Sequence, residues 1–233
     1  MIEFLQGCAV DAQGKSQSVP TESCLNEISD LLLSNVGTSL NTHQVTSAVH
    51  SLSILRYVDA TLLDAITKAV DSDGDNWYVK HAAISDLATL LYSLAMLEYV
   101  PHFSFTNALI KKREALLINN DPTAIAYASF SLAFLVRHAA GAEGKGYDAL
   151  PYEDVVRPWF DHIDERAECL VGDFATRADE EYNTRNAGLL ALAFADLKMG
   201  AEEVGFGLLS ALDDRVESIG KTGKATTRVA HKR

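Results

Sequence analysis

Apolar residues return every three or four positions along most of the chain, which is the spacing of one buried face of an α-helix. Val45, Val49, Leu52 and Leu55, for example, form one such stripe. No segment shows sustained alternation of apolar and polar residues, so the sequence predicts an all-α fold. The predicted helices cover about residues 21–35, 41–56, 59–70, 84–98, 104–118, 121–138, 152–171, 184–199 and 202–219.

Several helix ends carry capping residues. Asn41, with Gln44 three positions later, has the form of a capping box. Asp59 can cap the next helix, and Asp121-Pro122 places an N-cap residue before a proline at the first helical position. These signals fix where the predicted helices begin.

A motif recurs along the chain. Residues 45–58 read VTSAVHSLSILRYV and residues 87–100 read LATLLYSLAMLEYV, an offset of 42. A third copy, IAYASFSLAFLVR at 125–137, follows at an offset of 38, and a weaker fourth copy covers 190–199. A pair of amphipathic helices cannot bury its apolar stripe alone, so pairs of this kind stack. The alternative is an irregular helical bundle with chance similarities.

The repeat predicts a short right-handed α-solenoid of about four helix-turn-helix units. Three regions follow from this reading. They are an irregular N-terminal lead-in at 1–20, a helical-repeat domain at 21–219 with a glycine-rich insertion at about 139–150, and a basic C-terminal tail at 220–233.

The endings SLSILRYV and SLAMLEYV resemble those of the helical repeats in octotricopeptide, heptatricopeptide and FAST-kinase-like proteins. The resemblance covers roughly residues 42–219. It implies a role in mitochondrial or plastid RNA metabolism or in an organellar ribosome. Residues 1–20 do not have the Arg-rich pattern of a transit peptide, so the expected mitochondrial localisation depends on the resemblance alone.

Charge is distributed unevenly. The formal net charge is −12, yet residues 220–233 carry five cations and no acid, which leaves −17 on the rest of the chain. An acidic body repels RNA whereas a basic tail attracts it, so the balance favours a subunit that docks on proteins and touches RNA locally. The candidate RNA-contacting residues are Lys111, Lys112, Arg113, Lys221, Lys224, Arg228, Lys232 and Arg233. The first three can also be plain solvated surface, and the tail can be a solubilising end.

Motifs for catalysis or cofactor binding are weak. Asp71, Asp73 and Asp75 imitate a calcium loop, but its sixth position is Asn76 and its twelfth is Ala82. Recurring aromatics such as Phe130 can pack in the core or stack on bases. No run of apolar residues is long enough for a membrane span. We therefore expect no enzyme activity and no cofactor.

Two functional hypotheses remain open. The first is a structural subunit of an organellar ribonucleoprotein, with the mitochondrial ribosome as the leading candidate, bound mainly to protein partners and reaching rRNA through its tail. The alternative is a HEAT- or armadillo-like protein–protein adaptor, or an accessory subunit of another mitochondrial complex, without RNA contact.

Overall fold

The computed structural model describes residues 2–13, 20–69, 76–112, 114–115, 121–139, 157–165, 186 and 188–193. These residues are mostly helical and include no strand, which confirms the all-α prediction. Residues 114–115, 186 and 188–193 are helical as well. The helices with defined bounds are α1 (Ile2–Gln13), α2 (Glu22–Asn35), α3 (Thr42–Ile54), α4 (Ala60–Lys68), α5 (Trp77–His81), α6 (Ile84–Met96), α7 (Phe103–Lys111), α8 (Pro122–Ala139) and α9 (Arg157–Glu165).

The helices begin where the capping residues predict. Asn41 and Gln44 form the full capping box at the start of α3, with both backbone–side-chain bonds made at 2.9 and 3.1 Å. The Asp59 carboxylate accepts from two backbone N–H groups of α4. Asp121 accepts from the backbone N–H of Thr123 at 3.1 Å in the first turn of α8. Each carboxylate or amide satisfies donors that a helix leaves unpaired at its first turn.

Alternate helices pack beside one another in two rows. In the long row α1 packs on α3, α3 on α6, and α6 on α8. In the short row α2 packs on α4, and α4 on α7, which also contacts α5. The rows share one interior, because Leu32 of α2, Val49 of α3 and Leu62 of α4 line a common apolar space.

α6 lies in the middle of the long row and is covered on nearly every side. From Leu87 to Ala95 every residue except Thr89 is buried. A helix flanked by neighbours on both sides and backed by a second layer has no wide polar face to present to water. The near-continuous apolar sequence of α6 follows from this position.

α3 and α6 end in the same strained turn. Arg56 and Glu98, 42 residues apart, adopt left-handed φ values of 55° and 54°. The N–H of the following tyrosine in each case bonds the carbonyl five residues earlier, from Tyr57 to Leu52 at 3.0 Å and from Tyr99 to Leu94 at 2.9 Å. This is the Schellman arrangement, which usually places glycine at the left-handed position. The recurring sequence motif is thus a helix stop signal built without glycine.

Glycine at one of these positions is expected to stabilise the protein. A non-glycine residue in the left-handed region costs about 1–2 kcal/mol. Glycine removes this cost, but it loses more conformational entropy on folding, which offsets about 0.5–1 kcal/mol of the gain. We therefore expect Glu98→Gly to raise the free energy of unfolding by about 0.5–1 kcal/mol in urea titrations. Glu98→Ala is the control, since it removes the side chain and keeps the strain. An equal gain from both variants would contradict the backbone explanation.

The tyrosines that follow these turns tie the long row to the short row. The Tyr57 hydroxyl donates to Asn26 Oδ1 in α2 at 2.5 Å, and the Tyr99 hydroxyl donates to Asp64 in α4. Asn26 and Asp64 are each the fifth residue of their helices. Hydrogen bonds from Lys68 and Tyr99 hold the pKa of Asp64 below its usual range. The same bond therefore recurs in two successive helix pairs.

The serine of the motif behaves alike in all three described copies. Ser51, Ser93 and Ser131 are buried, and each hydroxyl donates to the carbonyl four residues earlier, at 2.8, 2.7 and 2.6 Å. The bond satisfies the hydroxyl hydrogen within its own helix, so a small polar side chain can lie in the interior. Small residues at these positions allow neighbouring helices to approach closely.

Two features of the structure differ from the sequence prediction, and the third copy of the motif differs from the first two. Residues 2–13 form α1, so the irregular lead-in predicted for 1–20 is wrong there: Leu5 and Ala9 are buried in a helix that packs on α3. The short helix α5 was not predicted. The third copy of the motif lacks the strained turn, because α8 continues to Ala139. Apart from Ala139, the last residue of α8, the insertion predicted at about 139–150 lies outside the described residues, as does the helix predicted at 202–219.

Candidate functional site

The candidate RNA-contacting residues fall on two parts of the chain. Lys111 is the last residue of α7 and is exposed, and Lys112 follows it and is partly buried. Arg113 and the tail cations lie outside the described residues; those cations are Lys221, Lys224, Arg228, Lys232 and Arg233. The geometry of the site can be built for Lys111 and Lys112 alone.

α7 packs on α5, and this contact brings Lys80 next to the two predicted lysines. A cleft of about 110 Å³ lies between the two helices. Among the residues that the structure describes, those lining this basic cleft are Asn76, Val79, Lys80, Ala108, Lys111 and Lys112. Half of these side chains are cationic and no carboxylate is among them.

Asn76 fixes the floor of the basic cleft. Its side chain is 1% exposed, and its Oδ1 accepts from the Val79 N–H at 3.0 Å as the N-cap of α5. Its Nδ2 donates to the Thr67 carbonyl of α4 at 2.9 Å. Because both ends of the amide are used, α5 is attached to α4 in one orientation. The backbone of Lys80 in α5 is therefore held in a fixed position relative to α4.

Lys112 reaches across the basic cleft to α5. Its Nζ donates to the Lys80 carbonyl at 3.1 Å. This carbonyl belongs to the last turn of α5, where carbonyl groups lack partners in the helix and cations are stabilising. Burial lowers the pKa of Lys112. The bond joins the end of α7 to the last turn of α5.

Lys80 could not be selected from the sequence. It lies in a short helix between Val79 and His81, 31 positions before Lys111, and no run of charge surrounds it. Only the packing of α5 against α7 joins it to the predicted pair. A charge pattern is a local signal, whereas this cluster is made by a tertiary contact.

Two of the recurring aromatics, Phe130 and Phe134, lie on α8, where Phe130 is partly buried. Tyr92 of α6 stacks on Tyr127 of α8 with ring centroids 4.1 Å apart, and Phe130 packs against Tyr92 at 5.8 Å. Phe134 is buried. Rings in such contacts seal the junction between α6 and α8. The core reading of Phe130 and Phe134 fits this geometry better than base stacking does.

Two histidines link α3 and α6 beside the buried seam. His43 Nδ1 lies 2.9 Å from Asp86 Oδ1, and His50 Nδ1 lies 3.1 Å from Ser93 Oγ. The Ser93 hydroxyl already donates its hydrogen to a carbonyl, so His50 must be the donor in the second bond. Within the described part of the chain, no three His, Cys, Asp or Glu side chains are placed to hold a metal ion. Each histidine thus makes a polar bridge between α3 and α6.

None of the helices in the described ranges combines the length and apolarity required to span a bilayer. No protein-family model, curated protein or solved structure matches the chain. The resemblance to organellar helical-repeat proteins stays a prediction from the motif.

Proposed function

We propose that this protein is a non-catalytic helical-repeat subunit of an organellar ribonucleoprotein, with the mitochondrial ribosome as the leading candidate. Its helices would stack as a short right-handed α-solenoid of about four two-helix units. Its body docks on protein partners, and its basic residues contact RNA.

The observation that supports this proposal most directly is the shared ending of α3 and α6. The strained turn and the tyrosine bond to the short row recur 42 residues apart, so two successive helix pairs are joined by the same contacts. Repetition of a unit with its junction is the defining property of a solenoid. Solenoids present extended surfaces, and proteins of this architecture commonly serve as binding scaffolds.

The charge distribution supports the proposal that the body of the protein contacts other proteins and that the basic residues contact RNA. The chain outside 220–233 carries −17, so most of its surface disfavours a polyanion. Exposed large apolar side chains suit contacts with protein partners, and they include Leu31, Val58 and Met96. Cations occur in the tail and in the basic cleft, which is where RNA contact is expected.

The test is a native purification of the tagged full chain, with and without ribonuclease treatment, followed by mass spectrometry. We expect a defined set of organellar ribonucleoprotein subunits, most of which remain bound after ribonuclease because the main contacts are between proteins. RNA binding of the full chain should fall when all five tail cations are replaced with glutamine. Co-purification with a complex that contains no RNA would select the alternative, a HEAT- or armadillo-like adaptor.

A further inference from the structure

We propose that the Tyr99–Asp64 bond is a pH-sensitive junction between the two rows of helices, whereas the equivalent Tyr57–Asn26 bond is not. Both bonds join a tyrosine that follows a left-handed turn to the fifth residue of a helix in the short row. The two junctions differ in the acceptor of the hydroxyl hydrogen, which is a carboxylate in one and an amide in the other. The proposal concerns the folded body of the protein and does not depend on RNA binding.

The charge one helical turn after the acceptor also differs between the two junctions. Lys68 follows Asp64 by four residues, and its Nζ donates to Asp64 Oδ2 at 2.6 Å. Asp30 follows Asn26 by four residues, so α2 has a carboxylate where α4 has an ammonium group. Side chains four residues apart are neighbours on the surface of a helix. The carboxylate acceptor is therefore accompanied by a cation, and the amide acceptor by an anion.

The surroundings of Asp64 favour its ionised form. The hydrogen bonds from Lys68 and Tyr99 lower the pKa of Asp64 against the effect of partial burial, and the charges of Lys68 and His102 act in the same direction. Among the described residues, these are the titratable groups that act on this carboxylate, one on α4, one after α6 and one before α7. Hydrogen bonds to an ionised acceptor are stronger than those to a neutral one. Protonation of Asp64 therefore removes the attraction of Lys68 and weakens the bond from Tyr99.

The surroundings of Asn26 disfavour a carboxylate at that position. Burial raises the pKa of the Tyr57 hydroxyl, and the charges of Asp59, Glu22 and Asp30 raise it further. Three carboxylates are therefore close enough to act on this junction, and they would repel a fourth at position 26. The amide of Asn26 accepts the hydrogen bond without this repulsion, and it has no proton to gain when the solution becomes acidic.

The direction of the pH effect follows from the lowered pKa of Asp64. Because the folded state favours the carboxylate, the stabilisation is complete above the pKa that this group has in the unfolded chain. The stabilisation is lost as the pH falls through the lower pKa of the folded state. Acid therefore loosens the link between α4 and the turn after α6, and it does not act on the amide that links α2 to the turn after α3.

The first experiment compares the thermal unfolding of the full chain and of its Asp64→Asn variant, from pH 7 down to the lowest pH at which both are folded. Both proteins carry His102→Gln, which removes the other group that gains a proton near Asp64. We expect Asp64→Asn to lower Tm by about 2–4 °C at pH 7. This difference should shrink as the pH falls below about 4.

Asn26→Ala is the matched control in the other junction, and its effect on Tm should be the same at every pH. A difference between wild type and Asp64→Asn that stays constant over the whole series would overturn the proposal. An Asn26→Ala effect that shrinks in parallel with that of Asp64→Asn would overturn it as well, because the pH dependence would then belong to the whole fold.

The second experiment needs no acid and introduces the charge pattern of one junction into the other. Asn26→Asp should lower Tm by about 2–4 °C at pH 7, because the new carboxylate lies among three others. In an Asp30→Lys background, which supplies the cation that Asp64 has, the same change should cost less than half as much. Equal losses in the two backgrounds, or no loss in either, would overturn the electrostatic account of the junctions. Circular dichroism spectra establish that the helix content of all variants is retained.

Discussion

Replacing Leu94 with alanine is expected to lower the free energy of unfolding by about 2–5 kcal/mol. The side chain is 1% exposed and lies in the last turn of α6, the helix that packs on both α3 and α8. Its removal forfeits the transfer free energy of the lost methyl groups and leaves a cavity that two flanking helices keep open. Urea unfolding followed by circular dichroism measures the change.

Met96 provides the matched control, because it lies two residues further along the same helix and is 46% exposed. Met96→Ala should change the free energy of unfolding by no more than about 0.5 kcal/mol. Leu52 and Leu132 occupy the corresponding positions of α3 and α8 and are 1% and 3% exposed. We expect losses in the same range as for Leu94 when either is replaced. A small effect at Leu94 would mean that the long row lacks a tightly packed seam.

Phe105→Ala should lower the free energy of unfolding by about 3–5 kcal/mol. Phe105 is fully buried in α7, and its ring lies 6.4 Å from that of Tyr78 in α5. This contact holds together the two helices that carry the cleft lysines. The variant should therefore loosen the packing of α7 on α5, and urea unfolding followed by circular dichroism measures the loss of stability.

The control for Phe105 is Phe4→Ala on α1. This ring is 52% exposed, so its truncation should cost no more than about 0.5 kcal/mol. Both changes remove the same atoms, and the difference between them reports the burial of Phe105. Similar losses from the two variants, in the same urea titration, would show that α7 is not anchored through this ring.

Helix starts were predictable because their chemistry is local. The Asn41–Gln44 capping box and the Asp59 cap require only residues within one turn, and both occur in the structure. The burial of Leu52 and Leu94 was equally predictable, since the spacing of apolar residues on a helix identifies the face that is buried. These features follow from sequence because the atoms involved are neighbours along the chain.

Other features depend on contacts between distant segments. α1 carries Gly7 and a mixed surface, and its buried residues Leu5 and Ala9 belong to a helix that packs on α3. α5 has only five residues, too few to be stable alone, and Asn76 attaches it to α4. The position of Lys80 beside Lys111 and Lys112 follows from the packing of α5 on α7. None of these features could be predicted from local sequence patterns.

The motif itself has a clearer meaning in three dimensions. Its final Leu-x-Tyr reads in sequence as an apolar ending, whereas the structure shows a left-handed turn at Arg56 or Glu98 followed by a tyrosine that bonds the short row. The residue before the tyrosine is strained, and the tyrosine bonds an earlier helix of the short row. The motif thus sets both where a helix stops and where its neighbour in the short row lies.

The stacking of helices in a row is tested most directly by dipolar EPR distances between spin labels at the start of three helices. The labels are placed by His43→Cys, Ser85→Cys and Thr123→Cys in pairs, in a chain whose native cysteines are serine. If α3, α6 and α8 form a row with about 10 Å between adjacent axes, the distance between positions 43 and 123 should be about twice the distance between positions 43 and 85. Equal distances for the two pairs would place the three helices around a common centre, as in a closed bundle, and would contradict the solenoid.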